Sequence, residues 1–162
     1  MSARIDPETL TPVWGTRYPP PFDAPCRARM RRRLADAAGL TQFGVNLTRL
    51  PPGTWSSQRH WHTRNDEFIC VLEGEVVLVT DEGSQVLRAG DYAGFPAGAR
   101  NGHQFRNDSS EDVVLLEIGS RDPDDVAHYS DIDMIAPAGE QPSTYTHRDG
   151  TPYPDTPRRS GP

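Results

Sequence analysis

The sequence predicts an all-β protein built as a sandwich or barrel, and three observations carry that expectation. Short apolar runs recur between residues 40 and 119, among them Phe68 to Leu72, Val76 to Val79 and Val113 to Ile118. Turn signals rich in Gly, Pro, Asn and Asp separate them at roughly eight- to twelve-residue intervals, the rhythm of consecutive short strands. No stretch between 40 and 119 shows the period of an amphipathic helix. At 162 residues and 18.0 kDa, the chain is enough for one domain with a real core and not for two.

Residues 1 to 39 read as an irregular arm. Pro7, Pro12, Pro19, Pro20, Pro21 and Pro25 remove backbone donors and forbid long regular structure, while Val13, Trp14, Tyr18 and Phe22 offer apolar anchors. Arg27 to Arg33 holds five arginines in seven residues, read as a solvated edge strand or an arm answering acidic residues elsewhere. The barrel is expected over residues 40 to 119. Phe43, Val45 and Leu47 alternate with Gln42, Gly44, Asn46 and Thr48 as in a half-buried strand, which Pro51-Pro52-Gly53 ends. Phe68 to Leu72 is apolar on both faces, as a strand covered on both sides would be. Glu73-Gly74-Glu75 turns the chain. Val76 to Val79 and Gln85 to Leu87 flank Asp81-Glu82-Gly83-Ser84, a hairpin whose glycine supplies a positive φ. Tyr92 to Phe95 and Val113 to Ile118 are further strands.

Residues 120 to 162 read as an acidic loop followed by a Pro-rich tail, packed on the barrel or disordered. Asp122, Asp124, Asp125, Asp131 and Asp133 crowd the loop without the spacing of an EF-hand, so it is read as solvated. Pro137 to Pro162 holds six prolines and no aliphatic residue larger than alanine.

The stretch Gly53 to Glu67 is the part that a packed domain would not need. In an extended strand, residues two apart share a face, so His60 and His62 point one way and Trp61 the other. Glu67, at the head of the next apolar run, can close on the same point. Of the remaining histidines, His103 is the best placed for a fourth donor, in a strand-like piece after a Gly/Pro-rich turn; His128 and His147 are read as packed or surface residues. Three neutral imidazoles and a carboxylate suit one divalent transition metal ion: Mn, Fe, Co, Ni, Cu or Zn. Trp55 and Trp61 are read as packing residues. Gln58, Arg64 and Arg100 flank the candidate ligands and could face the mouth of the barrel.

These residues resemble the two motifs of the cupin superfamily, in particular its small single-domain bacterial members. The first motif runs Gly53, His60, His62, Glu67, Gly74, and the second Gly90, Pro96, Gly98, His103, Asn107. Two spacings depart from the family pattern: six residues rather than five precede His60, and four rather than two separate Gly98 from His103. Both insertions fall in loops before a ligand. The resemblance implies a double-stranded β-helix, or jelly-roll barrel, with the metal inside its open end.

Composition excludes several classes. A formal net charge of -6 argues against a nucleic-acid partner. No window reaches the length of a membrane span and the first residues lack a signal-peptide core, so no membrane partner and a cytoplasmic location are expected. Cys26 and Cys70 fit no metal or redox spacing and are expected to be reduced. All 17 basic residues are arginine, which excludes lysine Schiff-base chemistry. The expected function is that of a metal-dependent enzyme on a small polar or anionic metabolite, of isomerase, epimerase or dioxygenase type. The alternative is a non-catalytic module binding a metabolite or a metal. No catalytic residue is assigned. The arm and the family resemblance together imply a homodimer.

Overall fold

The computed structural model describes residues 4–139 and 144–154. Among the described residues twelve strands follow one another: β1 (Val13–Trp14), β2 (Met30–Arg33), β3 (Phe43–Leu50), β4 (His60–His62), β5 (Glu67–Glu73) and β6 (Glu75–Thr80). The remaining six are β7 (Gly83–Arg88), β8 (Tyr92–Phe95), β9 (Gln104–Arg106), β10 (Val113–Ser120), β11 (Ala127–Tyr129) and β12 (Ile135–Ala136). The α-helix α1 (Leu34–Ala37) is a single turn, too short to leave a period in the sequence.

One wall is a six-stranded sheet in the order β1-β2-β3-β10-β5-β8. The other is made of two three-stranded pieces, β7-β6-β9 and β12-β11-β4. Main-chain bonds join those pieces: His60 N–H donates to His103 O at 3.1 Å, His103 N–H to His60 O at 2.9 Å, and Ser56 N–H to Phe105 O at 2.8 Å. Every strand pair is antiparallel. The result is the expected all-β double-stranded β-helix, in which the walls face each other across an interior.

That interior has two zones, set by the two-residue period of the strands. Leu50, Val113, Leu115, Ile69 and Val71 of the large sheet meet Val76, Leu78 and Phe105 of the other wall in a closed apolar core. Each fully buried side chain of this kind contributes roughly 1.5–3 kcal/mol. Further along the same strands the inward positions turn polar. In register, Arg31 lies beside Thr48, Arg33 beside Asn46, and Asn46 beside Glu117. The alternation read in residues 42 to 48 is therefore present, but the face carrying Asn46 and Thr48 looks inward: Thr48 is fully buried, while Phe43 is 40% exposed. A polar inner face indicates a lined cavity in place of core.

Residues 4–39 are largely irregular, yet β1 and β2 extend the edge of the large sheet. The arginine run is not uniformly solvated: Arg29 is buried, Arg31 pairs with Glu117, and Arg32 with Glu8. The acidic segment also departs from a solvated loop. Within it β11 pairs with β4, Ala127 beside His62 and Tyr129 beside His60. Tyr18 and Cys26 of the arm pack with Tyr129 and Met134 in a second cluster that Tyr145 and Tyr153 flank. The tail therefore covers this end of the barrel as far as Tyr153; residues 140–143 and 155–162 lie outside the described residues. Both cysteines are free thiols.

Asn107 ties the strand ends together. Its Nδ2 donates to Leu50 O and Glu111 O, both at 2.7 Å, and its Oδ1 accepts from Ser109 N at 3.0 Å and Ser109 Oγ at 2.7 Å. Asn107→Ala removes the buried donor to Leu50 O and the acceptor that holds Ser109, at a cost of about 2 kcal/mol. The expected fall in Tm is roughly 4–8 °C by calorimetry; an unchanged Tm would show the network to be dispensable.

Burial, the largest cause, pushes the Cys26 thiol from 9.0 to about 11, against the opposing charges of Arg29 and Arg31. Below pH 9.0 both folded and unfolded chains keep this proton; between 9.0 and about 11 only the folded one does. Its contribution, up to roughly 2–3 kcal/mol, is thus lost as pH rises through that window. Denaturant titrations from pH 8 to 11 should show a shallower decline in Cys26→Ala than in the wild type.

Candidate metal centre

The extended backbone of β4 turns His60 and His62 to the interior and Trp61 outward, where its ring stacks on His128 at 4.5 Å. Glu67 opens β5, and its inward position follows from pairing with Gly119 on one side and Phe95 on the other. His103 stands directly opposite His60 across the bridge that joins the two small sheets. Its ring lies flat on Phe95, with centroids 3.6 Å apart. The structure therefore brings all four expected residues together at the boundary between the apolar core and the polar zone.

Their geometry centres on one oxygen. Glu67 Oε2 lies 2.8 Å from His103 Nε2, 3.5 Å from His62 Nε2 and 3.8 Å from His60 Nε2. The donor atoms of His60, His62 and Glu67 all fall within 4.8 Å of one another. His103 is outside that mutually close triple and reaches the group through Glu67. Despite these contacts, Glu67 Oε2 is buried without a hydrogen bond of acceptable geometry, and so is His103 Nδ1. A buried carboxylate oxygen facing imidazole nitrogens, unsatisfied by any of them, is the donor set that a divalent cation would complete.

The outer nitrogens prepare the inner ones. His60 Nδ1 lies 2.9 Å from Gln58 O, a carbonyl that can only accept, so the neutral ring presents an unprotonated Nε2 to the interior. His62 Nδ1 donates to Asp125 Oδ2 at 2.5 Å. Asp125 is in turn held by the N–H groups of Arg64 at 2.8 Å and Asn65 at 3.1 Å. Such partners fix the tautomer and orientation of a metal-binding imidazole. The pKa shifts favour a neutral His60 and an anionic Glu67, while His62 moves toward its protonated form unless a cation competes. Burial, helped by the neighbouring imidazoles, pushes His60 down to about 3. For His62 burial also acts downward, but the Asp125 bond and the Glu67 charge outweigh it. Burial would raise Glu67 and Asp125, yet the histidines hold Glu67 below the carboxylate range, and the His62 bond brings Asp125 to about 2.

Asp125 is the contributor that sequence reasoning missed. Five aspartates crowd residues 121 to 133, and no spacing says which of them returns to β4. The flanking polar residues resolve differently. Gln58 is buried and donates to Phe22 O at 2.7 Å, Arg64 pairs with Asp122 at the surface, and Arg100 lies over the Trp61 ring. Several cavities reach the group, two of them touching Glu67 and His103 together. Of these two, one, of about 620 Å³, is bordered by Leu78, Leu87, Ala93 and Phe95; the other, of about 370 Å³, runs into the polar zone beside β2, β3 and β10.

Residues 46–119 match the family model described as a cupin domain. Among solved structures, the sugar phosphate isomerase of a cupin superfamily from Silicibacter pomeroyi DSS-3 is 43% identical, with a TM-score of 0.89, over 93% of this chain and 96% of its own. The chain belongs to the cupin superfamily. A candidate sugar phosphate isomerase from Acidithiobacillus ferrooxidans ATCC 23270 is 30% identical to this cupin over 75% of it and 78% of its own length, with a TM-score of 0.70. The polyketide cyclase RemF from Streptomyces resistomycificus shares the fold of this cupin at 21% identity and a TM-score of 0.61, over 74% of this chain and 80% of its own. No curated protein matches the chain.

The support given by Asp125 is measurable. Calorimetric titration of the metal-free protein with Mn²⁺ or Zn²⁺ should give roughly 10- to 100-fold weaker binding for Asp125→Ala. Glu67→Gln, which keeps volume but removes the negative charge, should weaken it at least about tenfold. Wild-type affinity in both variants would place any bound metal elsewhere.

Proposed function

We propose that this cupin is a metal-dependent isomerase acting on a sugar phosphate. The observation that carries the reading is the convergence of His60, His62 and His103 Nε2 on the unsatisfied Glu67 Oε2 at the meeting of two cavities. The likeness to the Silicibacter pomeroyi isomerase supplies the reaction class. His60, His62, Glu67 and His103 would hold the ion. When bound, a divalent ion supplies Lewis acidity toward a carbonyl or hydroxyl oxygen of the substrate. The remaining work belongs to the chain. Gln58 O and Asp125 keep two imidazoles correctly oriented, and Phe95 holds the third by stacking.

Isomerisation also needs a group to carry a proton between adjacent carbons. Among the described residues that line the polar cavity, Glu117 is the carboxylate outside the His/Glu group. It accepts from Thr48 Oγ1 at 2.8 Å and from Arg31, so its position is set by two strands. We assign the proton transfer to Glu117. A homodimer is part of the same reading: Phe68, Leu72 and Tyr92 are 44%, 43% and 63% exposed on the outer face of the large sheet, an apolar surface that a second copy would cover.

Untagged protein should carry a stoichiometric divalent ion by elemental analysis and interconvert an aldose phosphate with its ketose phosphate by NMR, an activity lost on chelation and restored by metal. Glu117→Gln should lower kcat by about 100-fold or more with metal affinity unchanged. Metal-loaded protein inert toward a panel of sugar phosphates would overturn the isomerase assignment.

A further inference from the structure

The two cavities that touch both Glu67 and His103 differ in charge. The larger one contains no arginine, and its acids are Glu67 and Glu82. The smaller one is lined by Arg17, Arg29, Arg31, Arg33 and Arg121 against only Glu67 and Glu117. In a chain with a formal net charge of -6, this is a local reversal of sign built into the barrel interior.

The arginines are not equivalent. Arg31 is neutralised by a two-pronged contact with Glu117, at 2.8 and 3.0 Å. Arg33 and Arg121 share Asp36 at the rim, where their side chains are 51% and 40% exposed. Arg29 is 5% exposed and donates to two carbonyls, Ser56 O and Gly15 O, while its Nε has no partner. Among the described residues no carboxylate forms an ion pair with it. Carbonyls satisfy its hydrogen bonds but leave a full charge uncompensated in the interior, which is unfavourable unless an anion shares the site. Guanidinium groups present paired donors that match phosphate oxygens.

We infer that the arginine-lined cavity is an anion subsite that takes the phosphate end of a phosphorylated substrate and leaves its sugar end at the His/Glu group. The phosphate half of this inference stands on the cavity itself; the sugar half rests on the isomerase reading. The larger cavity, lined by Glu67 and Glu82 with no arginine among the described residues, is the one in which the phosphate does not bind.

The test is calorimetric titration of the metal-loaded protein with inorganic phosphate, with a hexose phosphate and with the matching free hexose. The proteins compared are wild type, Arg33→Gln/Arg121→Gln, Arg17→Gln, and a control, Arg88→Gln, on a strand away from the cavity. Phosphate should bind wild type and control alike, and the double variant at least about tenfold more weakly, since two of the charges facing it are gone. Arg17→Gln should weaken it in the same direction, and the free hexose should not distinguish the proteins. Phosphate affinity should survive removal of the metal. Equal phosphate affinity in all four proteins, or loss of phosphate binding on stripping the metal, would overturn the subsite. Hexose phosphate turnover with an unchanged KM in the double variant would remove the subsite and leave the isomerase. Arginine-dependent phosphate binding without turnover would do the reverse.

Discussion

The main-chain bonds between His60 and His103 do two things at once. They join the two three-stranded pieces into a continuous wall, and they set two imidazoles from distant parts of the sequence side by side. A change that slipped one of these strands by one residue would turn its ring to the outside and part it from the other, because the side-chain period of a strand is two. Closure of the barrel and construction of the His/Glu group are thus a single event. Glu67 completes it from the opposite wall, in register with Gly119.

The interior is then divided by what the strands carry at their inward positions. Toward one end these are Leu50, Leu115 and Val71, and packing excludes water. Toward the other they are Asn46, Glu117 and the arginines of β2, which cannot pack without partners and instead border a cavity. The arm and the segment after Gly119 matter to this second zone more than to the first. Arg29 and Arg31 come from the arm, and Asp125 from the segment following β10. What would be trimmed as flanking sequence in fact supplies the cavity wall and the support of a candidate ligand.

The legible part of the sequence was the part with short-range regularity. Alternation and turn chemistry marked β3 to β10, and the spacing of His60, His62, Glu67 and His103 marked the donors, since each depends on neighbours a few residues away. What could not be read were choices made by tertiary pairing. The inward face of β3 is polar because Thr48 and Asn46 have Arg31, Arg33 and Glu117 beside them, and a strand taken alone shows only that two faces differ. Asp125 was indistinct among five aspartates because its role follows from β11 lying against β4. The burial of Arg29 was hidden in a run of arginines that composition alone would send to the surface.

At positions 29 and 31 arginine suits these surroundings. A lysine ammonium at position 29 would have three donors on a compact charge and would more readily give up its proton when buried; the arginine guanidinium stays charged and reaches two carbonyls from one planar group. At position 31 the same planarity allows contact with both oxygens of Glu117, which fixes the carboxylate in a way that a single ammonium would not. The interior therefore holds permanent positive charges at fixed positions beside a group of neutral and anionic donors. With a cation held at the His/Glu group as proposed, a molecule entering this barrel would meet two opposite demands: oxygen atoms able to complete the cation's coordination at one end, and negative charge at the other. On the proposed reading, neutral sugars would meet only the first and simple anions only the second, and selectivity would reside in the separation of the two sites.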